Sequence, residues 1–176
     1  MPHTKTRVAE IDWNLWQARD QATLVFVRRG DDVLLIHKKR GLGRGKINGP
    51  GGRLEPGEKP REAAIREVQE ELSITPDAPE PRGELSFQFQ DGYSMHVFVF
   101  VSFRFSGEAR ESEEAVPLWT RTCEIPYTKM WADDALWLPL LLDDQTFRGR
   151  FIFDGDAMLD HHLESGVRLN QARFGC

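Results

Sequence analysis

Runs of β-branched and aromatic residues alternate along the chain with short turn-forming segments, a pattern typical of β-hairpins. The runs Thr23–Arg28 and Val33–His37 are separated by Gly30-Asp31-Asp32. Two later pairs of runs have the same pattern, with Asp91-Gly92 and Asp154-Gly155 at their turns. We therefore predict strands over residues 23–28, 33–37, 85–90, 95–105, 116–121, 147–153 and 157–162.

Residues 59–72 have helical periodicity, with apolar side chains gathered on one arc. Pro60 suits the first turn of such a helix, because its fixed backbone angle favours helix initiation. We expect Pro79 and Pro81 to break the chain after the helix. The apolar arc consists of Ala64, Ile65, Val68 and Leu72.

A second helix is predicted over residues 131–142, which are rich in apolar side chains. Asp133 and Asp134 fall in its first turn, where carboxylates are favourable, and Pro139 is expected to end or kink it. Strands and helices alternate irregularly and include several hairpins. This order predicts an α/β protein with a mixed sheet flanked by helices.

Residues 1–20 differ in character and leave two interpretations open. Val8, Ile11, Leu15 and Trp16 recur at helical spacing, which predicts a short amphipathic helix. The same residues would also fit an extension without helix whose tryptophans pack on the rest of the protein.

Composition excludes several classes of protein. The 176 residues, with 40% hydrophobic and 29% charged residues, indicate one ordinary globular domain. The net charge of −5 argues against a general nucleic-acid or membrane surface. Cys123 and Cys176 form neither a metal-spaced pair nor a disulfide framework. With no long apolar run or apolar signal core, we expect a cytoplasmic monomer without stable membrane or nucleic-acid partners.

Three carboxylates are concentrated within five residues of the first predicted helix. Glu67, Glu70 and Glu71 stand at i, i+3 and i+4, which places them on one helical face. Their mutual repulsion would be offset by a hard divalent cation such as Mg²⁺ or Mn²⁺, which takes oxygen ligands. These residues alone would equally fit a solvated acidic helix, so the surrounding sequence has to decide.

That surrounding sequence resembles the Nudix hydrolase signature, G-x5-E-x7-R-E-U-x-E-E-x-G-U, where U is aliphatic. Ser73 departs from it by replacing the last glycine, which would end the helix in a left-handed conformation. The departure concerns helix termination and leaves the ligands intact. The fixed positions hold Gly52, Glu58, Arg66, Glu67, Glu70 and Glu71, and the aliphatic ones hold Val68 and Ile74.

The resemblance implies a Nudix α/β/α sandwich over residues 21–165, between an extension (1–20) and a tail (166–176). It also implies a Mg²⁺ cofactor, replaceable by Mn²⁺. Glu71 is the first choice for the general base and Glu114 the second, while Arg66 would orient glutamates through charge-assisted pairs. The implied metal ligands are the backbone carbonyl of Gly52 and the side chains of Glu67, Glu70, Glu71 and Glu114.

Further segments have a recognisable spacing: Lys38-Lys39-Arg40-Gly41, Asn48-Gly49, Met130-Trp131, Asp133-Asp134 and Trp137. Through them, residues 23–159 resemble the MutT-type branch of the family, which hydrolyses oxidised purine nucleoside triphosphates such as 8-oxo-dGTP and 2-hydroxy-dATP to the monophosphate and pyrophosphate. Leu42 and Tyr93 depart from that branch at positions implied to lie on the base pocket. The resemblance implies the following contacts: Lys38 with the triphosphate; Asn48, Asp133 and Asp134 with the base edge; Trp131 stacked on the purine; Thr23 and Trp137 lining the pocket.

Purely structural roles for these residues also remain possible from the sequence. Trp137 would fit a core position, and Asp133-Asp134 would fit an ordinary helix start. If the two aspartates are buried together, however, one should keep its proton, because close carboxylates resist ionising together. Alternative activities are hydrolysis of RNA 5′ ends or of dinucleoside polyphosphates. A catalytically silent nucleotide-binding module would have lost signature glutamates, and none is lost.

Overall fold

A mixed eight-stranded sheet organises the computed structural model of the protein, which describes residues 4–176. The strands are Asp20–Arg29 (β1), Asp32–Lys38 (β2), Ile47–Asn48 (β3), Thr75–Asp77 (β4), Glu80–Phe89 (β5), Ser94–Ser102 (β6), Arg104–Ser106 (β7), Ala115–Arg121 (β8), Phe147–Asp154 (β9) and Ala157–Ser165 (β10). The strand order of the sheet is β10-β9-β5-β6-β1-β2-β3, and β8 pairs with β2 along the whole length of β2. Strands β4 and β7 form a separate two-stranded sheet.

Two α-helices cover opposite faces of this sheet. Helix α1 spans Pro60–Leu72 and helix α2 spans Asp134–Leu142. The buried side of α1 packs with Val25 and Phe100 of the sheet, whereas Trp137 of α2 belongs to a second cluster with Phe26. The result is the predicted α/β/α arrangement. Single turns of 3-10 helix lie at Val8–Glu10, Thr122–Glu124, Tyr127–Lys129 and Gln171–Phe174.

The sheet splits next to the first hairpin, and this split positions the site. Strands β1 and β2 pair only near their turn, at Arg28↔Val33 and Arg29↔Asp32, and then diverge. A loop segment occupies the gap along β1, where Val25 donates its backbone N–H to the carbonyl of Pro50 at 2.8 Å. The N–H of Thr23 is likewise bonded to the Gly52 carbonyl at 2.8 Å. Gly52 is thereby fixed beside α1.

The predicted hairpins and both helices are confirmed, although α2 begins at Asp134 and not at Trp131. The strand predicted over residues 95–105 is wrong in its last part. It is interrupted at Phe103, and the residues that follow form β7, which pairs with β4 in the separate sheet.

The structure corrects two predictions about proline. Pro81 does not break the chain, because it lies within β5, where the register shifts between Pro81 and Gly83. A bulge tolerates proline since the pairing is already interrupted there. Pro139 does not end α2, which continues to Leu142.

Residues 4–20 contain a single 3-10 turn, Val8–Glu10, so the predicted amphipathic helix is wrong there. The alternative holds, because the tryptophans pack on the domain. Trp16 donates its indole N–H to the side-chain oxygen of Gln88 at 2.9 Å, and the Trp13 and Trp16 rings lie 5.2 Å apart. Residues 1–3 of the predicted extension lie outside the described residues.

Ser73 ends α1 in the left-handed conformation predicted for it, with φ 62° and ψ 21°. Its backbone N–H donates to the carbonyl of Gln69 at 2.9 Å.

Among residues 4–176, we find no helix with the length and apolar content needed to span a membrane.

Candidate active site

A cavity of about 450 Å³ opens where the sheet splits, between α1 and the start of α2. Two groups of acidic residues line it. We call Glu67, Glu71 and Glu114 the glutamate cluster, and Asp133 with Asp134 the aspartate pair. The remaining wall is largely aromatic and aliphatic, with Phe87, Phe89, Met95, Val97 and Phe153 among its members.

The glutamate cluster brings one carboxylate oxygen from each member within 4.8 Å of the others. Glu71 is buried, and no donor among the described residues reaches its Oε2 atom. Burial raises the pKa of Glu71 to about 8, and the charge of Glu67 adds to this effect while Lys38 opposes it. An ionised carboxylate with a buried, unpaired oxygen is costly, so a positive charge placed in the cluster would favour the ionised form of Glu71.

The cluster has the composition and the space to hold a divalent cation. Its donors are carboxylate oxygens, which Mg²⁺ and Mn²⁺ prefer. Gly52 packs directly against it, since a Cβ atom there would lie 2.4 Å from Oε2 of Glu67. The Gly52 carbonyl accepts one hydrogen bond from Thr23, which leaves it a second lone pair for a ligand. A cation would also give Glu71 Oε2 its missing partner.

Arg66 connects the signature glutamates, as the sequence predicted. Its guanidinium donates to Glu58 at 2.7 and 2.9 Å and to Glu67 at 2.9 Å. It also reaches Glu70 at 3.2 Å, whose side chain is 54% exposed. The structure thus places Glu70 on Arg66, outside the set of three carboxylates that converge. The hydrogen bond from Arg66 lowers the pKa of Glu58 and keeps it ionised.

Two cations, Lys38 at the end of β2 and Arg40 in the loop that follows, face the glutamate cluster. Burial lowers the pKa of Lys38, although Glu71 and Glu114 act in the opposite direction. Arg40 pairs with Glu114 through Nη2 and Oε1 at 2.5 Å. Sequence reasoning missed this pair, because the two residues are 74 positions apart. The Lys38-Lys39-Arg40 run was its only signal, and a solvated basic face would look the same.

The aspartate pair is almost completely buried, with Asp133 3% and Asp134 2% exposed. Trp137, one helical turn on, donates its indole N–H to Oδ2 of Asp133 at 2.7 Å. Burial raises the pKa of Asp133 to about 6. Burial and the neighbouring Asp133 charge raise that of Asp134 well above its usual range. This is the direction predicted for adjacent carboxylates.

Asp134 is the member of the pair that can address a ligand. Its Oδ2 atom is buried and has no hydrogen-bond partner among residues 4–176. A protonated Asp134 would donate through that group, and an ionised one would accept. Thr23 is likewise buried, at 1% exposed, and its Oγ1 atom has no hydrogen-bond partner among the same residues.

The two tryptophans of this region have different roles. Trp137 is fully buried, stacked on Phe147 at 5.4 Å and edge-on to Phe26 at 5.7 Å, so it is a core residue that also orients Asp133. Trp131 is half-buried and has Lys46 Nζ 5.0 Å from its ring centre. A Cβ atom at Gly43 would lie 2.8 Å from its indole nitrogen, so the glycine-rich loop closes against this ring.

The other predicted contacts of the base pocket also line the cavity. Asn48 accepts the N–H of Gly49 at 2.9 Å through its side-chain oxygen, which orients the amide. The Tyr93 hydroxyl donates to Asp20 at 2.9 Å, so this departure from the MutT-type pattern is tied to β1. Leu42 lines the mouth and is 39% exposed.

Comparison with known proteins gives a consistent result. The NUDIX domain model matches residues 18–141. The oxidized purine nucleoside triphosphate hydrolase of Danio rerio is 42% identical over 144 residues, covering 81% of this chain and 92% of the relative. Its Mus musculus counterpart is 40% identical over 143 residues, covering 80% and 92%. The solved MutT protein of Bacillus halodurans has a TM-score of 0.75 at 31% identity, covering 82% and 97%. The chain belongs to the Nudix hydrolase family.

Proposed function

We propose that the protein hydrolyses oxidised purine nucleoside triphosphates, such as 8-oxo-dGTP and 2-hydroxy-dATP, to the monophosphate and pyrophosphate. The observation that carries the proposal is the burial of the aspartate pair in the same cavity as the glutamate cluster. One set of carboxylates suits a metal-bound triphosphate. The other suits the hydrogen-bonding edge of a base.

At the glutamate cluster, where the triphosphate would bind, each residue has a separate role. A Mg²⁺ ion held by Glu67, Glu71, Glu114 and the Gly52 carbonyl, with Glu70 as the remaining candidate ligand of the signature, would offset phosphate charge and make water more acidic. Glu71 takes the proton of the attacking water, with Glu114 as the second candidate. Lys38 contacts the triphosphate. Arg66 holds Glu67 and Glu58 in place through its hydrogen bonds.

At the base side, Trp131 offers a ring face for stacking, and Asn48 and the aspartate pair offer donors and acceptors. Because Asp133 and Asp134 have raised pKa values, the pair can hold one proton near neutral pH. Moving that proton between them would let one pocket bind a keto edge or an amino edge. Thr23 lies beside this region and Trp137 holds Asp133 in position.

The experiment is a panel of nucleotides assayed with Mg²⁺, in which pyrophosphate and inorganic phosphate are measured separately. We expect pyrophosphate release, with a higher kcat/KM for 8-oxo-dGTP and 2-hydroxy-dATP than for dGTP and dATP. Diadenosine polyphosphates and 5′-triphosphorylated RNA test the alternative activities in the same assay. A clear preference for either, or equal rates for oxidised and ordinary purines, would overturn the proposed substrate.

We further propose that residues 21–165 form the catalytic domain and that the protein works as a cytoplasmic monomer. All residues that line the catalytic cavity come from one chain, so the proposed chemistry does not need a second copy. Light scattering after size-exclusion chromatography tests it, and a dimeric mass at assay concentration would contradict it.

A further inference from the structure

A second cavity, of about 510 Å³, lies between the N-terminal extension and the sheet. None of its lining residues also lines the catalytic cavity. His96, which lines it, contacts Phe98 edge-on at 4.9 Å, and Phe98 packs with the α1 cluster. The second cavity is therefore on the α1 side of the sheet, at a distance from α2 and the aspartate pair.

Its floor is a polar row across four neighbouring strands. Ser86 of β5 is paired with His96 of β6 on one side and with Arg150 of β9 on the other. Gln21 of β1 continues the row next to His96. The Ser86 hydroxyl and His96 Nδ1 lie 3.0 Å apart, so the row is internally hydrogen-bonded. The row is accessible to a ligand, since Ser86, His96 and Arg150 are half-buried and Gln21 is exposed.

Positive charge exceeds negative charge in this cavity. Glu84 is the carboxylate of its wall, 2% exposed, and it already pairs with Arg173 at 2.8 Å and Arg148 at 3.4 Å. Burial raises the pKa of Glu84, but the hydrogen bond of His96 and the two guanidiniums outweigh it and hold the carboxylate ionised. A cluster built only to neutralise Glu84 would need fewer cations.

Arg150 is the cation left over. Within residues 4–176 no carboxylate pairs with it. Its guanidinium instead lies over the ring of Trp13, with Cζ 5.4 Å from the ring centre. Trp13 and Trp16 form the opposite wall of the cavity. A guanidinium held against an aromatic ring presents its N–H groups sideways, which suits an oxyanion.

We propose that this cavity is a second ligand site, which binds the phosphate group of a small molecule through Arg150 and Arg148. Planar guanidiniums bind phosphate oxygens in pairs, and these two arginines stand on alternate residues of β9, on the same face of the sheet. The Trp13 ring lies where an aromatic group attached to that phosphate would stack.

The test is a titration of the full-length protein in chelator, with tryptophan fluorescence and calorimetry as readouts. The probes are inorganic phosphate, pyrophosphate and AMP. The parent is the Lys38→Gln variant, which weakens phosphate binding in the catalytic cavity. We expect saturable binding in the parent and at least about tenfold weaker binding after adding Arg150→Gln, since two charge-assisted hydrogen bonds are lost. If AMP binds more tightly than inorganic phosphate, the Trp13 ring is the surface on which the base stacks.

Two controls make the outcome decisive. Arg104→Gln removes an exposed arginine outside both cavities, and it should leave the titration unchanged. Trp13→Phe should remove most of the fluorescence change while calorimetry still detects binding. The proposal is overturned if the Lys38→Gln parent shows no saturable binding, or if Arg150→Gln and Arg104→Gln bind alike.

Discussion

The glutamate cluster and the aspartate pair are both groups of carboxylates in one cavity, yet their charge is balanced in different ways. Around the glutamates lie Arg66, Arg40 and Lys38, and the geometry leaves room for a metal ion. Around Asp133 the polar partner is the neutral indole N–H of Trp137. Without a metal ion both groups retain protons, since the pKa of Glu71 is raised to about 8, but only the glutamates have the cationic surroundings and the donors by which a bound cation can replace the proton. Residue type alone does not define chemistry, because the surroundings decide which counter-charge is available.

The strongest way to break this comparison is to remove the carboxylate on which the metal role depends. Glu71→Gln should lower kcat by at least about 10²-fold, the low end for a lost general base, and chelator should abolish activity of the wild type. Steady-state kinetics with Mg²⁺ measure both. Glu113→Gln is the matched control, since Glu113 is an exposed neighbour of Glu114 outside the cavity. Full activity of Glu71→Gln, or in chelator, would refute the cation half of the comparison.

Proton retention by the aspartate pair predicts that the stability of the protein depends on pH. The folded-state pKa of Asp133 is raised to about 6 from 3.8, so the folded protein holds this proton more tightly than the unfolded chain. Its contribution to the free energy of unfolding is full below about pH 4 and is lost as pH rises through about 6, by about 3 kcal/mol. Asp133→Asn removes this titration.

Denaturant unfolding of wild type and Asp133→Asn between pH 4 and 8 measures that contribution. The wild type should lose stability relative to the variant across this window. Asp31→Asn, which removes an exposed carboxylate, is the control for a simple change in net charge. A difference between wild type and Asp133→Asn that does not vary with pH would show that the buried aspartate does not hold its proton.

Substrate discrimination sharpens the comparison further. Asp133→Asn and Asp134→Asn each replace a carboxyl by a permanent neutral amide, so the pair can no longer exchange a proton. We expect kcat/KM for oxidised purine triphosphates to fall by about 1–3 kcal/mol, roughly 5- to 150-fold, with the Mg²⁺ dependence unchanged. Kinetics on 8-oxo-dGTP, 2-hydroxy-dATP and dGTP from pH 6 to 9 measure it. If both variants keep the wild-type kcat/KM on all three substrates, the aspartate pair has no role in base recognition and only forms the start of α2.

The smallest effect concerns the end of α1, which carries the glutamates but takes no part in the chemistry. Ser73 has φ 62°, a conformation that costs a non-glycine residue more than glycine. Ser73→Gly should raise the free energy of unfolding by about 0.5–1 kcal/mol and leave kcat unchanged. Thermal and denaturant unfolding measure the first, and the standard assay measures the second. A large loss of kcat would show that position 73 matters to the site itself.

Local signals predicted much of this molecule. Turn residues marked the hairpins, Pro60 marked the start of α1, and the signature spacing predicted the conformation of Ser73. Glu67 and Glu71 could be placed on one face from helical geometry alone. These features depend on residues close together in the sequence.

Features that depend on distant pairing could not be predicted. The Arg40–Glu114 pair and the hydrogen bond from Tyr93 to Asp20 join segments that are far apart in the sequence, and the local sequence does not show which residues will become neighbours. The second cavity was missed for the same reason. Ser86, His96 and Arg150 form a row only because β5, β6 and β9 lie side by side, and His96 alone carried no recognisable spacing.

The parallel pairing of β1 with β6 has a consequence for the order of events during folding. It joins residues 20–27 to residues 95–102, and β5 joins β9 in the same way over a similar separation. Closing such long loops is entropically costly, so these contacts form slowly compared with a helix or a hairpin. The walls of the catalytic cavity come from β1, β6 and β9. In a refolding experiment, the helical circular dichroism of α1 and α2 should therefore recover ahead of enzymatic activity.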